Sequence, residues 1–149
     1  MSDSILVLGA GGFVGLALTQ ALAQRGQRVI AISRKPIDLN LTNVECISGE
    51  LTNVEHFMPL LKRSRAVVHA ASRSTPGSSA GNAAAELQCN LRPTLGLLQA
   101  LQHFPEINLL YLSSGGSLYV TGPNELATEI SPINPRSYHG AGKIAAEHF

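Results

Sequence analysis

The stretch Gly9-Ala10-Gly11-Gly12-Phe13-Val14-Gly15 constrains this chain more than any other feature. It follows an apolar run, Ile5-Leu6-Val7-Leu8, and opens a helical pattern over residues 12–25. Glycines at 9, 12 and 15 each answer a different steric demand. The first permits a tight turn, the second lets backbone approach a bound group with no Cβ in the way, and the third lets the helix pack close on a sheet. The helix N-terminus adds unsatisfied N–H groups and the positive end of the helix dipole, which together suit phosphate. A glycine triplet alone is weak evidence, but here strand, turn and helix fall where that mechanism needs them. Gly9, Gly11, Gly12, Phe13, Val14 and Gly15 are therefore expected to cradle a dinucleotide pyrophosphate.

The rest of the chain repeats the strand–helix alternation. Residues 28–32, 44–47, 66–70 and 108–112 are apolar at nearly every position, as strands buried on both faces of a parallel sheet are. Helical patterns cover about 54–63 and 82–103, the second with Leu87, Leu91, Leu95, Leu98 and Leu101 at three- or four-residue steps. Pro93 removes the N–H that would bond the Cys89 carbonyl, so a kink is expected there. Residues 73–81 and 121–136, rich in Ser, Gly or Pro, read as loops. The expected architecture is α/β: one doubly wound parallel sheet of Rossmann type, strand order 3-2-1-4-5, with ligand at the carboxyl ends of the strands. The 149 residues suit one such domain. The last helical pattern, 140–149, stops without a capping glycine, so truncation before a substrate lobe is expected.

Composition narrows the partners. Charged residues make up 14% and the formal net charge is +1, which provides no electrostatic footprint for nucleic acid or an anionic membrane. No apolar run is long enough for a membrane span, and Met1-Ser2-Asp3-Ser4 lacks the basic start of a secretory signal, so a cytoplasmic location is expected. Cys46 and Cys89 lie in apolar patterns and read as buried, reduced thiols. No His, Cys or Asp spacing suggests a metal, and His56, His103 and His148 read as surface residues.

Chains selecting NAD usually place an acid at the end of the second strand for the ribose 2′-hydroxyl. Here Ser33 stands at that position, followed by Arg34 and Lys35. Two cations and no carboxylate suit a 2′-phosphate, which favours NADP while leaving NAD open.

Taken together these segments resemble the extended short-chain dehydrogenase/reductases, the nucleotide-sugar epimerase/dehydratase group. The resemblance runs through all 149 residues and corresponds to the N-terminal half of such an enzyme. Beside the glycine turn, Gly49-Glu50-Leu51-Thr52 resembles the family's G-D-L-T segment, whose acid reaches toward the adenine, with Glu50 one methylene longer. His69-Ala70-Ala71 resembles its H-x-A-A segment beneath the cofactor, and Asn90-Leu91-Arg92-Pro93-Thr94 its N-x-x-G-T stretch. Ser113-Ser114-Gly115-Gly116-Ser117-Leu118-Tyr119 resembles S-S-x-x-x-V-Y, the catalytic serine/threonine segment. The resemblance implies cofactor contacts from Glu50, Leu51, His69, Ala70, Ala71, Asn90 and Lys143. It also implies a nucleotide-sugar substrate, hydride transfer to and from a nicotinamide, and a possible homodimer.

Such enzymes take the sugar hydroxyl proton with the tyrosine of a Y-x-x-x-K motif, whose pKa of ~10 must be depressed by the lysine and the cationic nicotinamide. Four helical steps leave those two side chains about 40° apart. This chain reads Ser137-Tyr138-His139-Gly140-Ala141-Gly142-Lys143. Tyr138 and Lys143 are five steps apart, about 140° if helical, whereas His139 has the family spacing. Three readings stay open: Tyr138 reaches the site because the helix starts only near Gly140; His139 is the base, as a neutral imidazole can be near pH 7; or the site binds cofactor without catalysis, as a sensing module. Gly115 stands where many members carry the catalytic serine, which leaves Ser114 or Ser117 for that role.

Overall fold

The computed structural model describes residues 3–75, 77–78, 82–120 and 124–149. Parts of the loops expected over 73–81 and 121–136 lie outside the described residues. Two compact units separate: one takes the described residues up to Ala71 together with Gly96–Leu112, the other those of Ser72–Leu95 and Ser113–Phe149.

Five strands build the first unit: β1 (Ser4–Leu8), β2 (Val29–Ser33), β3 (Val44–Ser48), β4 (Ser64–His69) and β5 (Asn108–Tyr111). All pairings are parallel and the order is β3-β2-β1-β4-β5, as expected from the sequence. Continuous apolar runs arise because successive side chains point to opposite faces and both faces are covered. Leu6, Leu8, Ile30, Ile32 and Val67 pack with Phe57, Leu60 and Leu61 of α2 (Val54–Leu61) and with Leu97 and Ala100 of α4 (Arg92–Leu101). Ile5, Val7, Val29, Ala31 and Val68 form the other layer, with Leu18 and Leu22 of α1 (Phe13–Gln24) against it. Each fully buried Leu or Phe here contributes about 1.5–3 kcal/mol. The register aligns Leu8 with Ile32 and with His69, and His69 with Tyr111, so the strand ends share one edge.

Two expectations about burial are corrected. β3 and β5 are not buried on both faces: Glu45 and Cys46 are exposed, and Leu110 is 59% exposed. Outer strands lie beyond the helices that cover β1, β2 and β4, so an apolar run there does not guarantee burial. The thiols are accordingly not buried; Cys46 is exposed, Cys89 half-buried, and both are free.

The segment expected as one kinked helix is instead α3 (Ala83–Glu86), a π-helical turn (Leu87–Leu91) and α4. The wide turn sits just ahead of Pro93, which leaves the Cys89 carbonyl without its usual donor, and the Thr94 hydroxyl donates to the Asn90 carbonyl at 2.8 Å. A π turn changes the angular phase of everything after it. The expected leucine stripe is therefore displaced: Leu97 and Ala100 are fully buried, whereas Leu87 is 54% exposed.

In the second unit, the end of α5 (Gly115–Leu118) and the residues after it are bonded through backbone to the segment that leads into α6 (Tyr138–Glu147). The Leu118 carbonyl accepts from Asn134 N–H at 2.9 Å and the Pro132 carbonyl from Val120 N–H at 3.0 Å. The Ser137 side chain caps α6 by accepting from Gly140 N–H at 3.0 Å. A Cβ on Gly140 would lie 2.6 Å from the Ser117 carbonyl oxygen, so glycine is what lets α6 approach α5. Among the described residues no helix is long and apolar enough to cross a membrane.

Candidate functional site

At the carboxyl edge of the sheet, Gly9 leaves β1 at φ +86°, a conformation that favours glycine. Its N–H and that of Ala10 donate to the Ile32 carbonyl at 3.0 and 2.9 Å, and Gly12 N–H donates back to the Gly9 carbonyl at 2.9 Å. A Cβ on Gly9 would lie 2.6 Å from Ala71 N, and one on Gly15 would lie 2.1 Å from Gly9 O. The turn thus rests directly on the backbone that leaves β4, and the small residues Ala70 and Ala71 allow it. Gly12 N-caps α1 with extended backbone and no capping side chain, and no acid occupies the first turn. The first-turn amides of an α-helix have no intrahelical acceptor. Here they open at the edge with no side chain in competition, beside the exposed Phe13 and Val14. Such open amides suit a diphosphate, and a side chain at position 9 or 15 would push apart the backbone that presents them.

Around the same edge lie Ser33, Glu50 and His69. Ser33 is buried, its hydroxyl donates to the Lys35 carbonyl, and its Cβ lies 3.1 Å from where a Cβ on Gly11 would be. Arg34 and Lys35 are exposed, and among the described residues neither is in an ion pair. Gly49 N–H donates to the Ser33 carbonyl at 3.0 Å, which delivers Glu50 to the surface next to it. Leu51 packs against the core. His69 is buried and meets Tyr111 edge-to-face at 5.3 Å.

The second unit holds a polar cluster of its own. α6 begins at Tyr138 itself, so the late start that would bring Tyr138 onto the Lys143 face does not occur, and Tyr138 is 46% exposed. His139 and Lys143, four residues apart on one face, are buried at 6% and 7% exposure. Ser74 Oγ lies 2.9 Å from His139 Nδ1 and donates to Glu86 Oε2. Asn90 Nδ2 donates to Ser74 Oγ at 2.8 Å and to Glu86 Oε1 at 2.9 Å, while Asn90 Oδ1 accepts from Arg73 N–H at 2.7 Å. Asn90, expected at the cofactor, has its amide engaged within this network. A Cβ on Gly142 would lie 2.7 Å from Glu86 Oε1, so that glycine admits the carboxylate to the helix. Ser114 donates to Ser117 at 2.9 Å at the start of α5, and the Ser113 hydroxyl donates to Glu147.

Burial pushes His139 below its ordinary value; Glu86 pulls it up and Lys143 pushes it further down. Burial likewise lowers Lys143, opposed by Glu86 and Glu147. The ring is therefore held neutral near pH 7.

Glu86 and Ser74 went unrecognised in the sequence. Glu86 carries a faint signal, a lone acid four residues before Asn90 on a mostly apolar helix, whereas Ser74 is one hydroxyl among many in a polar loop.

A parallel sheet wound on both faces, with a Cβ-free turn at a helix N-terminus, defines a dinucleotide-binding α/β protein. The chain belongs to the NAD dependent epimerase/dehydratase family, whose model matches residues 5–149. It is 27% identical over 158 aligned positions to UDP-glucose 4-epimerase of Mycolicibacterium smegmatis, covering 97% of this chain and 49% of that one. Its fold superposes on the UDP-glucose 4-epimerase of Thermus thermophilus in complex with NAD (TM-score 0.86, 26% identity, 97% of this chain and 49% of the other). It superposes similarly on MoeE5 in complex with UDP-glucuronic acid and NAD (TM-score 0.84, 28% identity, 97% and 47%). The chain spans about half the length of the curated relatives it matches.

Proposed function

We propose that this chain carries the dinucleotide-binding and proton-transfer residues of an NAD(P)-dependent epimerase, dehydratase or reductase acting on a nucleotide sugar in the cytoplasm. The observation that carries the reading is the glycine turn, closed to any side chain at Gly9 and Gly15 and open at the first turn of α1. Amides of residues 13–15, the first turn of α1, would hold the diphosphate, with Glu50 and the His69-Ala70-Ala71 segment lining the same edge. A bound nicotinamide supplies a hydride acceptor and donor. His139 takes the proton of the sugar hydroxyl; its burial, with the Lys143 ammonium adding to the effect, keeps the imidazole neutral until then. The names of the similar proteins, UDP-glucose 4-epimerase and a complex with UDP-glucuronic acid, support a nucleotide-sugar substrate.

The test is to load the protein with oxidised cofactor, add a panel of UDP- and dTDP-sugars, and follow reduced nicotinamide by its absorbance and fluorescence. Reduction by at least one sugar nucleotide is expected. Tight dinucleotide binding with neither reduction by nor conversion of any of them would favour the non-catalytic sensing module, a reading supported by histidine in place of tyrosine at position 139.

The exposed Arg34 and Lys35, with Ser33 in place of an acid, lead us to expect NADPH to bind tighter than NADH. A preference on the order of tenfold corresponds to about 1.4 kcal/mol. Arg34→Ala should bring the two dissociation constants toward parity when both are measured by calorimetry. Tighter binding of NADH to the unsubstituted chain would refute the preference.

A further inference from the structure

The hydrogen bonds around Ser74 determine which nitrogen of His139 carries the proton. A serine hydroxyl has one hydrogen to donate and two lone pairs to accept with. The Ser74 hydrogen goes to Glu86 Oε2, because an ionised carboxylate can only accept. One lone pair takes Asn90 Nδ2–H at 2.8 Å. At 2.9 Å from Ser74 Oγ, His139 Nδ1 must then be the donor. The Asn90 amide cannot be turned around to alter this, because its Oδ1 accepts the Arg73 backbone N–H at 2.7 Å. We infer that Glu86, acting through Ser74, is a positioning residue that holds His139 as its Nδ1–H tautomer and so places the accepting lone pair of the neutral ring on Nε2.

The arrangement is a relay, carboxylate to hydroxyl to imidazole, assembled from three separate segments of the second unit. An acid that orients a base through its far ring nitrogen is a recurrent device in proton transfer. Here a serine is interposed between the two. Burial of Glu86 at 5% exposure and the missing Cβ of Gly142 show that the carboxylate is seated rather than grazing the surface. The inference rests on the reading of His139 as the base for its catalytic meaning, but the tautomer is a property of the ring and can be measured without turnover.

Glu86→Gln reverses the relay. Asn90 Nδ2 still donates toward position 86, so the introduced side chain must present its carbonyl oxygen there and its NH2 group toward Ser74. Ser74 Oγ then accepts from both amides, and its hydrogen turns to His139 Nδ1, which forces the Nε2–H tautomer. The charged or titratable groups facing the ring are Glu86 from α3 and Lys143 from its own helix, with Glu147 one turn beyond. α5 has no titratable side chain and the π-helical turn has only Cys89.

The experiment is long-range 1H–15N correlation on 15N-histidine-labelled protein at mildly alkaline pH, with His139 identified among the five histidines by its absence in His139→Gln. The Nδ1–H pattern is expected in the unsubstituted chain and the Nε2–H pattern in Glu86→Gln, whose ring should also titrate at lower pH because a raising charge is gone. Ser74→Ala, which removes the relay at a half-buried loop position, should lose the pure Nδ1–H pattern even if Glu86→Gln fails to fold. An Nε2–H ring in the unsubstituted chain overturns the inference, as does an unaltered Nδ1–H ring in either variant. Should His139→Phe retain hydride transfer while these spectra come out as expected, the base assignment falls and the relay stands.

Discussion

Gly15→Ala should abolish measurable dinucleotide binding and strongly destabilise the fold. The added carbon would lie 2.1 Å from Gly9 O, 2.7 Å from Gly9 C and 3.1 Å from Ala10 Cα. All three are backbone atoms, so no side-chain rotation relieves the clash. The turn cannot retreat easily either, because both Gly9 and Ala10 are tied to the Ile32 carbonyl and Gly9 already abuts Ala71. Overpacking of this kind costs roughly 1–3 kcal/mol, and more where only backbone could yield. Moving the first-turn amides away from the phosphates should weaken binding at least about 100-fold, near 2.7 kcal/mol. Gly26→Ala is the control: its φ is +74° but nothing lies within 4 Å of the new Cβ. It should cost only about 1–2 kcal/mol of backbone strain and leave affinity intact, since Gly26 follows the other end of α1. Urea melts and calorimetric titration with NADPH check both. Binding by Gly15→Ala within about threefold of the unsubstituted chain, roughly 0.7 kcal/mol, would remove the cradle from the account.

The parts of this structure that were legible in the sequence are those decided locally. The glycine turn could be read because each glycine meets a steric demand within a few residues of itself, Gly15 against Gly9 above all. The central strands could be read because burial on both faces leaves no polar position to interrupt Ile5–Leu8 or Val29–Ile32. β3 and β5 showed similar runs, yet which strands lie outermost depends on the order of the whole sheet, so the exposure of Cys46 and Leu110 was not written in their own segments. Pro93 marked where the helix would be disturbed. It did not show that the disturbance takes the form of a π turn, which moved burial from the leucine stripe to Leu97 and Ala100. The spacing of four singled out His139 with Lys143, but the relay behind His139 draws on residues 74, 86 and 90. Glu86 and Asn90 share a helical spacing, but nothing in the sequence ties them to Ser74 or to His139, and only the folded chain brings them together.

His139→Phe should lower the rate of hydride transfer by about 10²–10⁴-fold, the usual contribution of a positioned general base, whereas Tyr138→Phe should change it by less than about threefold. The contrast follows from placement, since His139 is buried beside Glu86 and Lys143 while Tyr138 starts α6 half in solvent. The pH dependence follows from the direction of the shift. Burial and Lys143 together outweigh Glu86, so the folded pKa of His139 lies below its ordinary value of about 6.5. A base must be deprotonated to act, so the rate should be level through neutrality and fall only as acid reaches that lowered pKa. Lys143→Met, by removing a charge that pushes the ring down, should move this acid limb to higher pH. The same shift governs stability. With the folded pKa below the unfolded one, the unfolded chain binds its proton first as pH falls. Stability is therefore lost between about pH 6.5 and the folded pKa, and this group adds no further slope below that. His139→Phe should remove that loss and flatten the stability profile in the window just above the pH at which the rate of the unsubstituted chain declines. An acid limb at or above the ordinary histidine value, or full activity in His139→Phe, would return the proton to another group.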